Sequence, residues 1–326
     1  MSKSLSLVFV MLLLFGCEEQ NQFSIEQLDE YRYSQDLVYL AQFSSDSEQL
    51  LVVDEKRLVS IWQLSTKKKV FTLPPSKTPE DLRAVYFKKS ENLLLLSGQN
   101  YIDFWDIKLK SKIGSLKVFS DEPLAKISSI NVSQYAGVIA VGMTDGTVFL
   151  YNRASNSSVK KIIHDGTVNH IHFLSADRYL LTSGTDGQII KSAVSNLEET
   201  YSKQLKNRVS TLVIDQSSNK SFVSDVLDKQ MFFMLDNGKS ISEINYTARF
   251  RWFRLGEFYG EGEFLITTTP KTDISLWDVS SGNELFTWNS KTLSLGSTNL
   301  DLMVNKNKIL TFTSEGVYQV WDLTKE

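Results

Sequence analysis

A repeat of about forty-three residues limits what this chain can fold into more than any other feature. The segments SIWQL, DFWDI, SLWDV and QVWDL each place an apolar residue before a tryptophan, and three continue with aspartate: Trp105–Asp106, Trp277–Asp278 and Trp321–Asp322. Filling the intervals gives one column, Trp62, Trp105, Tyr151, Ser192, Met234, Trp277 and Trp321, with steps between 41 and 46 residues. Three residues before each member stands Val59, Ile102, Val148, Ile189, Met231, Ile274 or Tyr318; twelve before stands Leu50, Leu93, Ile139, Leu180, Phe222, Leu265 or Ile309. Only 42% of the chain is apolar, so two columns apolar or aromatic in every copy reflect a structural unit. Within a unit, short alternating segments such as NHIHF, YLLTSG and QIIKSAV are separated by turn residues, with Asp-Gly between the second and third. Glycine adopts the positive φ such a tight turn needs, so each unit reads as a small antiparallel sheet. One such sheet cannot bury both faces, whereas seven stacked around an axis cover one another.

The best copy, HDGTVNHIHFLSADRYLLTSGTDGQII, resembles a WD40 repeat, with His164, Val168, Ile171, Phe173, Leu180, Ser183, Gly184, Asp186 and Gly187 at that repeat's usual places. The resemblance covers residues 23–326 and implies an all-β fold: a seven-bladed WD40-like β-propeller. It also implies a buried network of histidine, hydroxyl, aspartate and tryptophan in each blade. Here Ser192 stands where the tryptophan belongs, and the other six copies lack the histidine.

After Trp321–Asp322 only four residues remain, too few for the outermost strand seen in earlier copies. The segment QLDEYRYS, ahead of the first copy, is expected to supply that strand and close the ring, because open strand edges invite aggregation. The domain reading is a signal segment over 1–16, a tether over 17–26 and the propeller over 27–326.

The start of the chain has Lys3, then an apolar run from Leu7 to Phe15, far short of the roughly twenty residues of a spanning helix. Leu14, Phe15, Gly16 and Cys17 resemble the lipobox of bacterial lipoproteins, and Cys17 is the only cysteine in 326 residues. The resemblance implies a signal peptide cut before Cys17 and a lipid carried on that thiol. Acyl chains contribute about 0.8 kcal/mol per buried methylene, enough together to hold the chain at a membrane. Glu18, where such proteins with aspartate stay at the inner membrane, implies the outer membrane, facing the periplasm.

A net charge of −3 without long basic runs argues against sequence-independent nucleic-acid binding, and STKKKV reads as a solvated hairpin tip. Gly238-Lys239-Ser240 is no phosphate loop, because Phe233 stands where a further glycine is required. No His-Glu-x-x-His or Gly-x-Ser-x-Gly motif occurs. His170 and His172 point to the same side of a strand, which suits either a metal site with a third ligand or simple packing. WDVSSGNELFTW, with Gly282 and Trp288, resembles the repeat of quinone-cofactor propellers but occurs once, so no cofactor or metal is expected.

ARFRWFRLGEFYGEGEF, residues 248–264, reads as the inner strand of the sixth blade and the turn after it. Its Arg249, Arg251, Trp252, Arg254 and Tyr259 form a candidate protein-binding patch, since Arg, Trp and Tyr dominate binding hot spots. The alternative is a core strand whose arginines pair with acidic neighbours. The expected function is a membrane-anchored, non-catalytic scaffold for protein partners. Its rivals are an outer-membrane assembly factor, and a small-ligand binder or enzyme that uses the central channel.

Overall fold

The computed structural model describes residues 23–227, 229–245 and 252–325. These residues fold into seven four-stranded antiparallel sheets. Six follow chain order: 38–73, 85–117, 127–162, 168–204, 209–243 and 255–289. The seventh takes three strands from the C-terminal end, Asn299–Asn305, Lys308–Thr313 and Val317–Lys325, and its outer strand from Phe23–Arg32. The chain is therefore the expected seven-bladed propeller, closed by its N-terminal strand. That strand begins at Phe23 and so takes in residues 23–26, which the sequence reading gave to the tether.

Seven apolar clusters hold the ring, each shared by two neighbouring blades. Because both faces of every sheet are covered, the middle strands are buried along nearly their whole length; Leu93–Ser97 is buried at all five positions. The closing strand joins the same scheme. Phe23 packs edge-on against Phe264 of blade 6 at 5.4 Å, and Tyr33 meets Trp62 of blade 1 at 5.0 Å.

Two columns shift by one residue. Trp105 pairs with Leu94, not Leu93. In blade 5, Phe233 pairs with Ser221, as Trp277 pairs with Leu265, so Phe233 takes the tryptophan place in the ladder and Met234 follows it. The run QMFFM carries no alternation, so the apolar pattern could not set this register.

Around the column the polar network is partial. Trp277 Nε1 donates to Thr267 Oγ1 at 2.8 Å and Trp321 Nε1 to Thr311 Oγ1 at 3.1 Å. Among the described residues Trp105 Nε1 has no partner, since Leu96 occupies the corresponding place. In blade 4, His164 Nδ1 lies 3.0 Å from Asp186 and Nε2 lies 2.9 Å from Thr182 Oγ1. The hydroxyl is thus Thr182 rather than Ser183, and Ser192 Oγ has no partner. Burial lowers the His164 pKa despite the aspartate beside it. Gly146 shows why Asp-Gly ends these strands: at φ +89° a Cβ would lie 1.8 Å from the His164 carbonyl oxygen.

Candidate functional site

Each blade runs inner to outer strand, so the ring has two unlike faces. One carries the links that enter the inner strands and the turns between second and third strands; we call it the entry face. The other carries the first and last hairpins of each blade, the hairpin face.

The sixth-blade patch divides between these faces. Its inner strand is Leu255–Tyr259, so Trp252, Phe253 and Arg254 precede it in the entering link, and Glu257, Phe258 and Tyr259 lie in the strand, not in a turn after it. Arg249 and Arg251 lie outside the described residues. Phe253 is fully buried against Phe222 and Trp277, and its carbonyl accepts a 2.5 Å bond from Thr211 Oγ1. This anchor leaves Trp252 half-buried and Arg254 exposed on the entry face. Tyr259 sits at the other end, its hydroxyl 3.5 Å from Asn307 Oδ1 in a hairpin of blade 7. Five strand residues separate Arg254 from Tyr259 by roughly 17 Å, so the two cannot serve one small patch. Among the described residues no carboxylate pairs with Arg254, whose Nη1 reaches Thr298 Oγ1 at 3.4 Å.

That bond joins the patch to a feature the sequence reading missed. The link 290–298, entering blade 7, holds Leu293 at 65% exposure and Leu295 fully exposed. Its base is closed by Ser290 Oγ donating to Asn299 Oδ1 at 3.0 Å, and the Leu293 amide donates to Glu315 at 2.6 Å. Leu37, in the next link around the ring, is 57% exposed. Burying a leucine contributes about 1.5–3 kcal/mol, so a fixed loop that keeps two in water carries unspent binding capacity. The available signal was TLSLGS, two leucines inside a turn-rich segment where no strand alternation accounts for them.

The inner strands line the central channel. Several of their side chains stitch blades together: Gln42 binds both the amide and the carbonyl of Phe87, Asn131 reaches the Ile171 carbonyl at 2.8 Å, and Asp301 accepts the Phe43 amide at 2.6 Å. His170 and His172 likewise bond to the backbone of the next blade, at Ser210 and Leu212. Burial pushes both imidazoles down to about 4, so they are neutral inter-blade filling. Glu257 differs, with no hydrogen-bond partner among the described residues. Burial, with Asp301 and Asp215 nearby, raises it to about 8, and burial raises Asp301 to about 7. Among the described residues no three His, Cys, Asp or Glu side chains group to hold a metal ion.

A curated relative agrees with this architecture. The chain is 24% identical over 216 residues to pre-mRNA-processing factor 19 homolog 2 of Arabidopsis thaliana, a WD40-repeat protein, covering 63% of this chain. The fold is that of a WD40-type propeller. The matched part spans only 41% of the relative's length, and no protein-family model matches the chain. The seven sheets make a frame from which the connecting links project, and binding residues on such frames tend to sit in the links.

Proposed function

We propose that this protein is a lipid-anchored, periplasm-facing, non-catalytic scaffold that holds a protein partner on its entry face. The observation that carries the reading is the pair Leu293 and Leu295, exposed on a link pinned at its base and at the Leu293 amide, with Arg254 bonded to the same link. An apolar pair with an adjacent arginine is the composition of an interface centre. The anchor is Cys17, and the outer membrane is its expected site on the residue that follows, Glu18.

The test compares affinity capture from membranes by the native chain and by Leu293→Asp/Leu295→Asp. Loss of a captured protein from the variant, with thermal stability unchanged, supports the reading. Capture equal in both moves the interface off this link. Fractionation of Cys17→Ser tests the anchor separately: release to the soluble fraction supports it, and retention at the membrane overturns it.

A channel-ligand reading has one observation in its favour, the unpartnered Glu257 carboxyl beside Asp301. A small cationic ligand there would raise the thermal midpoint of the native chain and leave Glu257→Gln unaffected.

A further inference from the structure

We infer that the entry face pairs with the entry face of a second copy of this chain, the link into blade 3 of each copy lying on the link into blade 7 of the other. The inference rests on the entry-face reading above and names its partner. The link 118–126, entering blade 3, is built like the link 290–298. Its flanks are bonded to one turn of blade 2, the Val118 amide to the Asn100 carbonyl at 2.8 Å and the Ile127 amide to the Gln99 carbonyl at 2.7 Å. The Glu122 amide donates to Ser120 Oγ at 3.2 Å. On this fixed loop Leu124 stands 88% exposed, with Phe119 exposed at its root. Two pinned links on one face thus keep leucines in water.

Charge divides the face between these links. On the links and turns of blades 2, 3 and 4 the exposed carboxylates are Glu80, Asp81, Asp121, Glu122 and Asp165, against one exposed cation, Lys77. Half-buried Arg83 pairs with Asp81 at 3.2 Å, and Lys160 of the blade 3 outer strand pairs with Asp121 at 2.5 Å. Half-buried Lys126 and, at the end of the blade 2 outer strand, Lys117 are the other cations there. On the links and turns of blades 5, 6 and 7 the order is reversed. Lys206, Arg208, Arg254, Lys271 and Lys291 are exposed, and among the described residues no carboxylate on these links and turns is. Glu315 is buried, and Asp273, at the strand edge, is half-buried and accepts from Thr269 Oγ1 at 3.1 Å. Half-buried Lys229 pairs with Glu243, and Lys291 has Glu30 of the closing strand 3.8 Å away, with exposed Arg32 two residues on. Blade 1, between the halves, is mixed: Lys56 pairs with Asp36 at 2.7 Å, and Glu55 and Arg57 share its turn.

The links into blades 3 and 7 stand nearly across a seven-membered ring. A two-fold axis lying in the plane of the face exchanges such positions, so link 118–126 of one copy meets link 290–298 of the other, and the same contact forms a second time. Leucine then meets leucine, and the carboxylates of blades 3 and 4 approach Arg254, Lys271 and Lys291. Lys206 and Arg208 lie near that axis, opposite their own copies, and add repulsion. A foreign partner has no need of two leucine-bearing links with opposite charge on one face; a second copy uses both.

The test is sedimentation velocity on residues 18–326, which contain every strand of the closed ring and no lipidated thiol, at concentrations up to about 0.1 mM. A dimer is expected for the native sequence. Asp121→Lys/Glu122→Lys and Lys271→Glu/Lys291→Glu should each weaken it by at least about tenfold. An equimolar mixture of the two variants should regain it, because both contacts of the mixed pair then join opposite charges. A monomer at every concentration, either variant dimerising like the native chain, or a mixture that stays monomeric overturns the inference. All four substituted positions are exposed, and an unaltered circular dichroism spectrum shows that the variants are folded. Capture of a different protein that is lost with Leu293→Asp/Leu295→Asp, while the native chain stays monomeric, keeps the entry-face reading and removes the second copy as its partner.

Discussion

At Trp277 the indole donates to Thr267, while at Trp105 the same kind of nitrogen has no partner. The difference is one side chain, and it makes a prediction. Thr267→Val strands a buried donor without changing volume much, and should cost about 1–3 kcal/mol, read as a lower urea midpoint. Channel residues set the response to pH. Glu257, raised to about 8, and Asp301, raised to about 7, hold protons in the folded chain that the unfolded chain releases near ordinary carboxylate values. Their contribution is present at low pH and is lost as pH rises through 7 and 8. His170 and His172 act in the opposite sense: with folded values of about 4 against an ordinary 6.5, they favour the folded state above 6.5 and lose that contribution as pH falls toward 4. The thermal midpoint should therefore fall between pH 6.5 and 8, and Glu257→Gln should flatten that fall. A midpoint independent of pH in this window would contradict the account of the channel.

Among elements, the blade 5 register is the sharpest test of the fold. Phe233 is fully buried in the ladder position that the repeat gives to tryptophan, and Met234 is half-buried beside it. Phe233→Ala should cost about 3–5 kcal/mol and Met234→Ala about 1 kcal/mol, measured by chemical unfolding. The reverse order would restore the Met234 register. The repeat period, the seven blades and the borrowed strand were all legible, because a constant step and a missing last strand are counted rather than inferred. Register within QMFFM and LLLL was not, because strands covered on both faces lose the alternation that marks register. The sixth-blade patch shows the same limit. The alternation of Arg and aromatic residues reads as a strand that takes in Trp252, Phe253 and Arg254, yet the strand starts at Leu255, after Phe253 has buried itself between blades 5 and 6. Leu293 and Leu295 escaped notice because apolar residues are read as core unless their loop is known to project.

For the whole molecule, closure by Phe23–Arg32 completes the seventh sheet and with it the ring. The strand covers the last open edge in the ring, and its first residue, Phe23, pairs with Lys325 at the hairpin face. Removing residues 23–32 should expose the edge of Val317–Lys325 and produce concentration-dependent aggregation, measurable by light scattering. In the proposed scaffold the entry face, with Leu293, Leu295 and Arg254, is the surface that meets the partner. The most direct measurement is site-specific photo-crosslinking in intact cells, with a photoreactive phenylalanine at Leu295 and, in parallel, at Val159 on the outer strand of blade 3. The account predicts a discrete protein adduct from position 295 and none from position 159. Adducts from 159 alone, or none from either position, would contradict a scaffold that works through its entry face.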